Sequence, residues 1–179
     1  MASSKKATSK VTPRLEVKKT YKLYINGAFP RSESGRVYEV SNSKGGFIAN
    51  PSLASRKDLR DAVVAARAAH SGWAKATAYN RGQILYRIAE MMEGRADQFT
   101  AEISLASGVT LKKAQDEVAA AIDRWVWYAG WSDKLSAAFG ATNPVAGPYY
   151  NFTIPEAQGV IAVAPAENFL AFIDSIAPA

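Results

Sequence analysis

The chain has 179 residues, 48% hydrophobic and 21% charged, which suits one ordinary core and excludes a generally disordered polymer. It contains no cysteine, so disulfides, thiolate metal sites and a thiol nucleophile are excluded from these residues. Of the net charge of +6, five units fall in the first 20 residues, where Lys5, Lys6, Lys10, Arg14, Lys18 and Lys19 stand against Glu16 alone. The expectation is a disordered basic tail over 1–20 and a nearly neutral folded part over 21–179. No aromatic platform accompanies the lysines, so no nucleic-acid partner is expected. No apolar run approaches the roughly 18 residues needed to cross a bilayer. The N-terminus also lacks the apolar stretch of a secretory signal, so the expected setting is the cytoplasm, with no membrane partner.

Residues 21–29 alternate apolar and polar up to Asn26-Gly27, a strong signal for a two-residue hairpin turn. Two further short strands are expected at 36–40 and 46–49, separated by the turn Ser43-Lys-Gly-Gly46. Ser55-Arg-Lys-Asp58 resembles a capping box and opens a helix running to about His70. Its apolar stripe is Leu59, Ala62, Val63, Ala66 and Ala69. The sole histidine, His70, reads as a helix-end cation or a satisfied polar group. A second helix begins near Thr77, places Ile84, Leu85, Ile88, Met91 and Met92 on one face, and stops at Gly94. A third runs from about Arg95 to Ser107, with Ala96, Phe99 and Ile103 inward.

The fourth helix carries Trp125, Trp127 and Tyr128, with Trp131 just past its expected end at a left-handed Gly130. Ala114, Val118, Ala121, Ile122 and Trp125 recur at helical spacing, so the aromatic rings read first as core filling. After the loop at 143–148, residues 149–155 alternate like a strand with one exposed face. Residues 159–165 form a nearly continuous apolar run, as expected of a parallel strand covered on both faces, and a helix begins near Leu170. A parallel strand without a parallel neighbour leaves ladder groups unpaired, so the sequence reads as an incomplete α/β unit.

The order of these pieces resembles the N-terminal part of the aldehyde dehydrogenase superfamily. Tyr24-Ile-Asn-Gly-Ala-Phe29 is similar to that family's opening strand. Ala62 to Trp73 resembles its first helix, Tyr128-Ala-Gly-Trp-Ser-Asp-Lys134 its aromatic helix end, and Gly159-Val-Ile-Ala-Val-Ala-Pro165 the first strand of its cofactor domain. The implied fold is α/β: β-hairpins, four helices, an oligomerisation-type strand at 149–155, and the first strand and helix of a Rossmann-like cofactor domain at 159–179, incomplete.

The resemblance implies oxidation of an aldehyde to a carboxylic acid with NAD or NADP. A cysteine thiolate attacks, and a glutamate activates water. Both lie beyond this chain in the family pattern, so these residues are expected to be catalytically incomplete alone. Small aldehyde substrates and homo- or hetero-oligomeric assembly are implied for the complete enzyme. The alternative is a non-catalytic scaffold subunit assembling with a full-length paralogue. Where the family reads Pro-Trp-Asn-Phe-Pro, this chain has Pro165-Ala-Glu-Asn-Phe-Leu170. By that resemblance Asn168 is a candidate oxyanion donor, with a plain helix N-cap as its competing role. Ala164, Pro165 and Ala166 would line the nicotinamide ribose.

Overall fold

The computed structural model describes residues 19–165 and 168–179. The tail reading up to residue 18, and the assignment of Ala166, lie outside the described residues. The elements in chain order are β1 (Thr20–Tyr21), β2 (Val40–Ser41), β3 (Phe47–Pro51), α1 (Arg56–Lys75), α2 (Ala78–Glu93), α3 (Ala96–Ser107), α4 (Leu111–Trp131), α5 (Leu135–Phe139), β4 (Ala141–Thr142), β5 (Phe152–Thr153) and α6 (Phe169–Ile176). No helix among the described residues is long and apolar enough to cross a membrane.

The N-terminal hairpin forms as its turn chemistry dictates. Asn26 and Gly27 take φ values of 52° and 74°, the paired left-handed conformation of a type I′ turn. Ile25 and Ala28 exchange backbone hydrogen bonds of 3.0 Å across it. The hairpin extends only one step further, through the Leu23 amide to the Pro30 carbonyl at 3.1 Å. A small mixed sheet of order β1-β3-β2 stands beside it, with Thr20 opposite Asn50 and Val40 opposite Ala49. Thr20 therefore belongs to the folded part rather than to the tail. The expected strand at 36–40 contracts to β2 plus one bridge, Val37 to Ser52. Between β2 and β3, Asn42 Oδ1 accepts from the Lys44 and Gly46 amides and closes the turn.

Ser55 caps α1 in a complete capping box: its hydroxyl accepts from the Asp58 amide and the Asp58 carboxylate accepts from the Ser55 amide. Asp58 also receives the Ser32 hydroxyl at 2.7 Å and the Glu33 amide at 3.4 Å, which ties loop 30–34 to the helix. First the Ser55 amide, then the Ser32 hydroxyl, hold its carboxyl at about 2, below the usual 3.8. A depressed carboxylate stabilises the fold above its unfolded value and loses that contribution as pH falls from about 4 towards 2. Asp58→Asn is therefore expected to flatten the acid limb of a denaturation-midpoint profile between pH 6 and pH 2. Parallel profiles for the two proteins would refute this role.

The helix α1 outruns its expected end by five residues, so His70 lies inside it and Lys75 is the cation of its last turn. His70 Nε2 is buried without a partner among the described residues, which corrects the reading of a satisfied helix-end group. The apolar stripe of α1 is not a core stripe either. Leu59 is 64% exposed, Ala66 and Ala69 are exposed, and the buried residue of this helix is Asp58.

The core lies among α2, α3, α4 and α6. Ala89, Met92, Ala121, Trp125, Ile173 and Ala177 form one cluster, with Leu85, Phe99, Ile122, Tyr128, Phe169, Leu170 and Ile176 packed against it. The stripe of α4 is as its spacing requires: Ala114, Val118, Ala121 and Trp125 are all buried, Val118 to 1% exposure. The helix nevertheless runs through Gly130 instead of ending there, and its cap is Ser132. Lys134 Nζ reaches the Gly130 carbonyl and the Ser132 amide the Ala129 carbonyl, so terminal acceptors are satisfied without a left-handed residue. The left-handed cap falls instead at Gly108, after α3, with φ of 72°.

On α2 the buried residues are Ala89 and Met92, joined by half-buried Leu85, whereas Ile84, Ile88 and Met91 are exposed. Small residues set this face. A Cβ on Gly82 would meet the Ala129 carbonyl oxygen of α4 at 3.0 Å, and Ala89 and Ala121 share the seam, so the helices approach closely where side chains are short. The strand expected at 149–155 contracts to β5, which pairs antiparallel with β4 through Thr142 opposite Phe152. The run 159–165 is not a strand at all among the described residues. Without a ladder partner it takes no regular structure and is mostly exposed, with Ile161 53% exposed and Val163 half-buried. The expected helix after it does form, as α6.

Candidate functional site

The candidate residues converge on the N-terminus of α6. This helix is strongly amphipathic in sequence, with Ile173 and Ala177 buried in the core and Phe172 at the surface. It docks along α4. The rings of Phe99 and Phe169 lie 5.4 Å apart, and the Arg124 guanidinium meets the Asp174 carboxylate at 2.7 Å. The helix therefore has a fixed place even though residues 159–165 join no sheet among the described residues.

Asn168 is its N-cap, with extended φ and ψ of −137° and 161°. Its Oδ1 accepts from the Ala171 amide at 2.7 Å, and its own carbonyl accepts from Phe172 at 3.2 Å. Only an oxygen can accept from a backbone amide, so this contact fixes which way the carboxamide faces. The Nδ2 group is the one left to donate, on an exposed side chain. The cap role expected for Asn168 is thus present, and it commits the oxygen of the carboxamide while leaving the amide nitrogen as a donor.

Glu117 was not singled out by the sequence. Its Oε1 accepts from the Phe169 amide at 2.7 Å and the Leu170 amide at 3.2 Å, across 52 residues of chain. Together with Asn168 it satisfies the first three amides of α6, so these are not open to a phosphate. Glu117 and Arg124 are two turns apart on α4, flanking the buried stripe, and both engage α6.

Ala164 and Pro165 are exposed and carry only small side chains. A cleft lies elsewhere, between the N-terminal hairpin and α1. It measures about 340 Å³ and is lined by Asn26, Arg31, Glu33, Lys57, Asp58 and Asp61, charges of both signs. No group of three metal-ligating side chains occurs among the described residues.

Residues 29–179 match the aldehyde dehydrogenase family. The chain belongs to that family. Human retinal dehydrogenase 2 is 37% identical to it over 175 residues, which is 94% of this chain and 33% of that protein. A point mutant of aldehyde dehydrogenase from Bacillus cereus superposes with a TM-score of 0.69 at 27% identity, over 78% of this chain and 30% of that one. Betaine aldehyde dehydrogenase from Staphylococcus aureus, solved with NAD+, gives 0.66 at 25% identity, over 71% and 26%. The chain spans about a third of the length of the curated aldehyde dehydrogenase relatives it matches. Its mixed α/β architecture is that of the matching part of those enzymes.

Proposed function

We propose that this chain supplies the N-terminal portion of an enzyme that oxidises an aldehyde to a carboxylic acid with NAD or NADP. The observation that carries the reading is the exposed Asn168 carboxamide, its oxygen committed to Ala171, at a helix start clamped by Glu117, in the segment that resembles the family's oxyanion motif.

When a nucleophile adds to an aldehyde, negative charge develops on the former carbonyl oxygen. A preorganised N–H donor lowers the energy of that charge more than it lowers the energy of the substrate. Asn168 Nδ2 is such a donor, because Oδ1 is already committed to Ala171 and the amide need not reorient during the reaction. Ala164 and Pro165, small and exposed, leave room for a nicotinamide ribose beside it. NAD(P), when bound, supplies the hydride acceptor. The nucleophilic thiolate comes from outside these residues, which contain no cysteine.

The exposed side chains Tyr149, Tyr150, Phe152 and Ile154 support a further element of the reading, assembly of subunits through the β4–β5 ribbon.

The test is a chimera in which residues 29–179 replace the matching third of human retinal dehydrogenase 2. Formation of reduced nicotinamide with retinal supports the reading. A folded chimera that binds NAD yet yields no acid contradicts it.

A further inference from the structure

We propose that Glu117 is a positioning residue for the oxyanion donor: its carboxylate clamps the start of α6 and thereby sets the direction of the Asn168 carboxamide. The inference rests on the aldehyde-oxidising reading for its consequence, but the clamp itself is a property of this chain.

Four observations converge on it. The Glu117 carboxylate takes the Phe169 and Leu170 amides, the two residues that follow Asn168. Asn168 in turn takes the Ala171 amide, so one side chain from α4 and one from α6 share the same helix start. Residues 159–165, the described part of the approach to α6, form no ladder among the described residues. Finally, Glu117 projects from the most deeply buried helix of the fold, next to Val118 at 1% exposure, so its backbone cannot drift. A carboxylate accepting two amides makes charge-assisted hydrogen bonds, stronger than neutral ones and favoured by the helix dipole. Arg124 with Asp174, two turns along, fixes the far end of the same contact.

The carboxamide is aimed by this arrangement. Freed from Glu117, the first turn of α6 frays, the Ala171 amide leaves Oδ1, and Asn168 regains its rotamers. A donor displaced by an ångström contributes little to a developing charge. Glu117→Gln keeps an acceptor of the same reach, whereas Glu117→Ala removes it.

The experiment has two arms. In the first, amide hydrogen exchange and the Asn168 side-chain amide resonances are followed by NMR in the full 179-residue chain. E117A should raise exchange at Phe169 and Leu170 by about 10–100-fold and average the Asn168 amide signals, with E117Q restoring both in large part. In the second, the retinal dehydrogenase chimera carrying E117A should lose at least about tenfold in kcat with KM for the aldehyde unchanged, and E117Q should recover it. Unchanged exchange at Phe169 and Leu170, or a kcat insensitive to E117A, overturns the proposal. An inactive parent chimera counts against the aldehyde-oxidising reading alone, since exchange in the chain still decides the clamp.

Discussion

Asn168→Ala in the active chimera is expected to lower kcat by about 10²–10³-fold, the effect of removing one preorganised oxyanion donor. That corresponds to roughly 3–4 kcal/mol of transition-state stabilisation. Asn168 also caps α6 through the Ala171 amide, and losing a cap costs only about 1 kcal/mol of stability. The two roles therefore differ in where the loss is felt. A structural cap alone predicts a lower melting temperature and nearly normal turnover. The oxyanion role predicts turnover that collapses while most of the protein remains folded. Steady-state kinetics beside a thermal melt separate them, and a kcat within about threefold of the parent would refute the donor assignment.

Trp125→Ala is expected to destabilise the chain by about 3–5 kcal/mol, the cost of deleting a large aromatic from a packed core. The ring is 6% exposed and sits where α2, α4 and α6 meet, in one cluster with Ala89, Met92, Ala121, Ile173 and Ala177. Against a typical total of about 5–15 kcal/mol, such a loss leaves a substantial unfolded population. Trp125→Phe should cost far less. It keeps much of the volume and removes the Nε1 donor, which is buried without a partner among the described residues. Urea denaturation of the two variants checks the pair. An alanine variant within about 1 kcal/mol of wild type would place the core elsewhere.

Sequence was most informative where local physics decides the outcome. Asn26-Gly27 must turn left-handed, and it does. Ser55 with Asp58 is a capping box because the two side chains and two amides close on one another without help from distant residues. The Ala114 to Trp125 stripe is buried because α4 is central and touches helices on several sides. Patterning failed where a partner decides. Leu59 and Ala66 repeat at helical spacing, yet both are exposed, and Ala62 and Val63 of the same stripe are only half-buried. On α2 Ile84, Ile88 and Met91 stay exposed, while the inward face carries the small Gly82 and Ala89 beside Leu85 and Met92. The apolar run at 159–165 carries the composition of a buried strand, but strand pairing is non-local and no ladder forms on it. At the candidate site, Asn168 was visible through its motif, whereas Glu117 was not. A contact across 52 residues leaves no periodic trace in the chain.

One substitution probes the central claim most directly: Asn168→Asp in the chimera, with kcat and melting temperature measured together. Aspartate still accepts from the Ala171 amide and is among the best N-cap residues, but it offers the developing oxyanion a negative charge in place of an N–H. The account expects a melting temperature close to the parent's and a kcat reduced at least about 100-fold. Turnover preserved alongside that stability would contradict it, leaving Asn168 as a helix cap and nothing more.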